Sequence, residues 1–231
     1  MNKVLTGKKV IFFDVGYTID RPASGDWMFT RKFCEVAGVQ MKKCSESQIR
    51  LARSAGMNYL ERNHLLKDEE EEVTTLYHYY KIISDELKLG MSSEDIKNVA
   101  EDRTYNMENY VIYPDAKQVI RSLSETYRLG IISDTWPSID HQLNALGVLQ
   151  YFSFATYSFK FGIFKPDKRM YLDALEKCGC NADETVFIDD SPINLKGAES
   201  AGITPILIAA NPESDVETSY TKIHSLSELL Q

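Results

Sequence analysis

Five short apolar segments, residues 9–13, 129–132, 154–157, 185–188 and 203–208, constrain this chain most. Each is β-rich, almost unbroken in apolar character and bounded by polar or glycine residues, the pattern of strands covered on both faces. Between the later ones run helical patterns, at 115–127, 138–146, 167–178 and 194–201. Alternation of strand and helix predicts an α/β fold: a Rossmann-like parallel sheet with right-handed crossovers and helices on both faces.

Residues 21–109 differ. They carry helical periodicity and helix starts, with no strand pattern. Asp68-x-x-Glu71 reads as a capping box ahead of a helix running through Leu87, and Gly90 followed by Ser92-Ser93-Glu94-Asp95 reads as one helix ending and another beginning. The expected organisation is a catalytic core of residues 1–20 and 110–231, with a helical insert, 21–109, placed directly after the first strand.

In 231 residues, 43% hydrophobic side chains suffice to bury a sizeable core. The net charge of −8 and the acidic run at 68–72 disfavour nucleic acid and anionic membranes as partners and favour a small molecule. Apolar runs near the N-terminus are too short for a signal-peptide core or a membrane span, so a cytoplasmic protein is expected. Cys34, Cys44, Cys178 and Cys180 are too scattered for a disulfide scaffold, and free thiols are expected.

In an open parallel sheet, ligands bind beyond the carboxyl ends of the strands. The first strand delivers Asp14 and then Thr18; the second delivers Ser133, Asp134 and Thr135; the fourth delivers Asp189, Asp190 and Ser191. Lys165 stands just before a helix start. Asp14, Asp189 and Asp190 would meet at one sheet edge if their strands are neighbours. Two unit charges ~4 Å apart repel by about 4 kcal/mol at an effective dielectric near 20, so the cluster asks for a cation. Few oxygen ligands, with water and substrate phosphate completing the shell, suit Mg²⁺. Ser133, Lys165 and backbone N–H groups after Asp14 could hold phosphate oxygens.

These residues, in this order, resemble the haloacid dehalogenase superfamily. Asp14 with Thr18 is similar to its first motif, Ser133 after Ile131-Ile132 to the second, Lys165 in Gly162-x-x-Lys165-Pro166-Asp167 to the third, and Asp189-Asp190 to the fourth. The helical insert takes the position of the family's cap. The resemblance implies a Mg²⁺-dependent phosphatase acting on a small phosphorylated metabolite, in which Asp14 attacks phosphorus and forms an aspartyl-phosphate. It also implies that Asp14, the Gly16 carbonyl and Asp190 hold the metal, with Asp189 acting through water or through its neighbours. Ser133 and Lys165 would orient the phosphoryl group, Asp134 and Thr18 would border the substrate, and Thr18 would also position the loop.

Gly16 departs from the family pattern, which places an aspartate there to protonate the leaving oxygen. Asp20 and Asp134 are the candidate replacements. Three other readings stay open: a slow phosphatase restricted to good leaving groups such as aryl or acyl phosphates, a weakened relative that binds a phosphorylated ligand, and a 2-haloacid dehalogenase, whose halide leaves without a proton. His64, His141 and His224 show no sequence partner, and Trp136 could line the pocket mouth or pack.

Overall fold

In the computed structural model, which describes residues 3–231, the first apolar run forms β1 (Val10–Phe13), all four of whose residues are shut off from solvent. There follow β2 (Asp20–Pro22), then α1 (Arg31–Met41), α2 (Glu46–Arg62), α3 (Glu69–Leu87) and α4 (Ser93–Tyr105). The chain continues through β3 (Tyr110–Ile112), α5 (Ala116–Ser124), β4 (Arg128–Ser133), α6 (Ile139–Ala145) and β5 (Phe152–Tyr157). It finishes with α7 (Lys168–Cys178), β6 (Thr185–Asp189), α8 (Pro192–Ser200), β7 (Thr204–Ile208) and β8 (Thr221–Ile223).

Six strands form one sheet in the order β5-β4-β1-β6-β7-β8, with every neighbouring pair parallel. Side chains alternate across it. Ile11 and Phe13 join Val119 and Ile120 of α5 and Leu143 of α6 on one face. Val10 and Phe12 join Tyr171 of α7 and Leu195 of α8 on the other. All five sequence-derived strands and the four helices between them are present, and the α/β class with helices on both faces holds.

One glycine in β4 is dictated by packing. A Cβ on Gly130 would lie 2.1 Å from Phe154 and 2.9 Å from Phe12, whose rings meet edge to face at 5.7 Å over that position.

Helices α1 to α4 pack on one another around a separate apolar cluster that includes Phe33, Leu60, Tyr79, Tyr80 and Val99. Each helix opens on a side-chain cap: Thr30, Ser45, Asp68 and Ser92 accept from the backbone N–H three residues on. At Asp68 only half of the expected box forms. Its carboxylate accepts from Glu71 N at 3.0 Å, but Glu71 turns back to Lys67 N rather than to Asp68.

Three strands escape the sequence pattern. Arg21 and Pro22, placed by the sequence in a strandless stretch, belong to β2, which pairs antiparallel with β3 from Asp20↔Ile112 to Pro22↔Tyr110. This two-stranded stem joins the helical unit to the sheet. Three residues including a proline are too short to show a period, and the edge strand β8 escaped for the same reason of length.

Gly130→Ala is expected to lower stability by about 1–3 kcal/mol through overpacking, read as a reduced denaturation midpoint in urea with an unchanged slope.

Candidate active site

Strand β1 lies between β4 and β6, so the chain leaves it in both directions across the sheet. Asp14, Ser133 and Asp189 therefore stand at adjacent carboxyl ends, the crevice where such sheets bind ligands. Lys165 reaches into this point from the loop before α7. Its Nζ donates to Asp14 Oδ1 at 2.7 Å, to Asp189 Oδ2 at 2.7 Å and to the Ile132 carbonyl at 3.3 Å. The Lys165 and Asp189 side chains are 1% and 0% exposed, and Asp14 10%. Asp189 also accepts from Ser191 N at 2.7 Å and from Asn194 Nδ2.

Asp190 completes the group. Oxygens of Asp14, Asp189 and Asp190 lie within 4.8 Å of one another. Burial would lower the Lys165 pKa, but the Asp14, Asp189 and Asp134 carboxylates outweigh it and hold the ammonium well above its ordinary value. Burial pushes Asp189 up, against the pull of Lys165. Asp190 is pushed up to about 7 by desolvation and by repulsion from Asp14 and Asp189, with the Ser214 hydroxyl donating to it at 2.9 Å. With all three ionised, the carboxylates exceed the one ammonium by two negative charges in a half-dry site. An oxygen-only donor set with that excess fits a hard dication.

A cavity of about 700 Å³ opens over this group, between the sheet edge and the helical unit. Asp14, Gly16, Ser133, Asp134, Lys165 and Asp190 line it. Among the described residues the Ser133 hydroxyl and the N–H groups of Val15 and Gly16 have no hydrogen-bond partner, so they are free to donate into it. Asp134 accepts from Lys165 N at 2.9 Å. It meets solvent through the cavity yet is ringed by protein, and that desolvation, opposed by Lys165, pushes it up to about 6.

Other sequence-derived residues do not reach the cavity. Thr18 is fully buried with its hydroxyl unpartnered, so it supports the loop from beneath instead of touching a ligand. Asp20 is also fully buried: one oxygen takes the Gln142 amide at 2.6 Å and the other has no partner. Its burial in β2 raises it to about 7, but gives it no access to a leaving group.

At Gly16 an added Cβ would lie 3.1 Å from the Trp27 ring. The indole, edge-on to Tyr17 at 5.2 Å, occupies the side of the loop that a side chain at position 16 would need. Tyr17 itself is held at φ +56°, in the left-handed region, with its N–H on the Asp20 carbonyl at 2.7 Å.

The helical unit supplies lining residues that the sequence did not mark: Trp27, Arg53, His64 and Arg103. His64 stacks on Phe164 at 4.1 Å and bonds Ser158 Oγ at 2.7 Å, and burial drives its pKa down to about 4. Trp136 lines the cavity and meets His64 edge-on. No short-range signal marks these residues, because the folding of α2 and α4 over the sheet edge is what brings them there.

The sequence model of the haloacid dehalogenase-like hydrolases matches residues 45–208. The chain belongs to this family. The matched span holds Ser133, Lys165, Asp189 and Asp190, while Asp14 lies before it and is placed by the geometry above. The hydrolase is 26% identical over 215 residues to a glyceraldehyde 3-phosphate phosphatase of Methanocaldococcus jannaschii, covering 86% of this chain and 89% of the relative. Among solved structures, a 2-haloacid dehalogenase of Pseudomonas syringae superposes with a TM-score of 0.65 at 21% identity, covering 96% of both chains. A HAD-hydrolase of Bacillus subtilis bound to magnesium superposes at 0.63 with 18% identity, again over 96% of each chain. At these identities the two structures establish the fold. Among the described residues, no helix is long and apolar enough to cross a membrane.

One buried contact ties the helical unit of this hydrolase to α6. Glu72 of α3 takes the N–H and hydroxyl of Ser138, each at 2.8 Å, and burial pushes its carboxyl up to about 7. A raised folded pKa makes its contribution to stability complete below the ordinary value of 4.5 and lost as pH rises through about 7. Between those limits wild type is expected to lose stability relative to Glu72→Gln, by up to about 3 kcal/mol at 1.36 kcal/mol per unit, measured by denaturation at each pH.

Proposed function

We propose that this hydrolase is a Mg²⁺-dependent phosphatase of small phosphorylated metabolites, acting through an aspartyl-phosphate on Asp14. The observation that carries the reading is the meeting of Asp14, Asp189 and Asp190 around Lys165. Removal of halide needs no cation, and this site carries the excess negative charge of one that uses a cation. The phosphatase similarity over 86% of the chain supports the same choice.

Asp14, the Gly16 carbonyl and Asp190 would hold Mg²⁺, with Asp189 behind them. Bound there, the ion supplies neutralisation of phosphate charge. Lys165 fixes Asp14 Oδ1, leaving Oδ2 without a protein hydrogen bond to attack phosphorus. Ser133 and the N–H groups of Val15 and Gly16 donate to the phosphoryl oxygens, a task of positioning and electrostatics. As the Asp14–phosphorus bond forms, the bond to the leaving oxygen breaks, and that oxygen takes a proton from Asp134. Water then gives a proton back to Asp134 and attacks phosphorus, releasing inorganic phosphate and the Asp14 carboxylate. Of the two candidate acids, Asp134 is the one open to the cavity, and a carboxyl near 6 is suited to both halves of the cycle.

Residues 21–109 serve as the cap, hinged on the β2–β3 stem, and residues 1–20 and 110–231 as the core. The interface buries lining residues of both parts around one cavity, which favours a small substrate. Four unpaired cysteines accord with a reducing compartment, the cytoplasm.

Phosphate release from an aryl and an alkyl phosphate tests the reading. Chelator or Asp14→Asn should abolish both activities, while Asp134→Asn should slow the alkyl ester by about 10²-fold or more and the aryl ester far less. Mg²⁺-dependent binding without turnover would favour the weakened relative. Chelator-resistant halide release from 2-chloropropionate would favour the dehalogenase.

A further inference from the structure

Arg103, in the last turn of α4, lines the cavity on the side of the helical unit and is 5% exposed. A buried guanidinium is costly unless it is paired. Among the described residues, however, no carboxylate lies within ion-pair distance of it. Its Nε donates to the Trp27 carbonyl at 2.7 Å, one Nη to the Tyr110 hydroxyl, and its Cζ stands 5.4 Å from the centroid of the Tyr110 ring. The second Nη finds no acceptor among the described residues.

The nearby acids are turned elsewhere. Glu72 faces Ser138, and Asp20 faces Gln142. The other arginine of the cavity, Arg53, is committed to Asp26 and packs over Phe29. Lys165 is committed to Asp14 and Asp189. Arg103 is thus a positioned cation with donor capacity to spare, facing a cavity whose catalytic end lies at Asp14.

We propose that Arg103 is a specificity-determining residue that binds a carboxylate on the substrate, so that the natural substrates are short phosphorylated carboxylic acids. The inference rests on the phosphatase reading for which end of the substrate meets Asp14. The free Nη offers charge-assisted N–H donors to a carboxylate oxygen. A second phosphate fits less well, because Asp26, Asp190 and Glu213 already make the lining acidic and only one cation is free.

The test compares 3-(phosphonooxy)propanoate with its carboxamide, which keeps the shape and loses the charge. Affinities are measured calorimetrically with Mg²⁺ on Asp14→Asn protein, so that no turnover is needed. The acid is expected to bind at least 10-fold more tightly than the amide, and the ratio to fall to about one when Arg103→Gln is added. Because Arg103 is buried, Arg103→Lys is made as well: its ammonium keeps the charge but loses the planar fork, and the ratio should fall several-fold. A ratio near one with Arg103 intact, or a ratio undiminished in whichever variants fold, overturns the proposal. Failure of the wild-type protein to release phosphate from either compound would sink the phosphatase reading alone, since the affinity ratio is read independently.

Discussion

A lysine with almost no solvent exposure holds aspartates at the carboxyl ends of two different strands at 2.7 Å each, and the candidate site of this molecule is organised around it. Removing one partner of a buried ionic group costs about 3–5 kcal/mol because the other charge is stranded. The loop before α7 is thereby pinned to the carboxyl ends of β1 and β6. The same contacts fix one oxygen of Asp14 and leave its second oxygen facing the cavity. Asp190 adds charge that Lys165 does not cancel, and burial first, then repulsion from Asp14 and Asp189, push its carboxyl up to about 7.

The sheet order makes this meeting possible. With β4 and β6 on either side of β1, residues more than a hundred positions apart in the chain become neighbours without long loops. The helical unit is joined to the sheet by a stem of two short strands, by the buried Glu72–Ser138 and His64–Ser158 contacts and by Leu66, while most of its apolar side chains pack in a cluster of their own over the site. What the sheet contributes is chemistry common to the family, and what the helices contribute is the shape and charge of the far end of the cavity.

That division also explains what could be read from sequence. Strands buried on both faces announce themselves as apolar runs, and each delivers its polar residue at a fixed place, so Asp14, Ser133, Asp189 and Asp190 were legible. Lys165 was legible through the pattern around it. The β2–β3 stem was not, because three residues including Pro22 carry no period. Arg103, Trp27 and His64 were invisible because their roles depend on how one helical body docks on another, and nothing local encodes that. Thr18 and Asp20 were misplaced for the opposite reason: their loop is close to Asp14 in sequence, but it turns them into the interior. The loss of a carboxylate at Gly16 was plain in the sequence, whereas its counterpart, the Trp27 ring 3.1 Å from the missing Cβ, needed the structure.

In the proposed reaction the excess negative charge of Asp14, Asp189 and Asp190 over Lys165 makes a site for one divalent cation. Titration of the metal-free protein with Mg²⁺ in a calorimeter measures this binding. One ion is expected to bind per chain, and Asp190→Asn is expected to lose at least about 10-fold in affinity, since even the partners of a metal ligand are worth that much. No Mg²⁺ binding by the wild-type protein, or equal binding by the variant, would contradict this expectation.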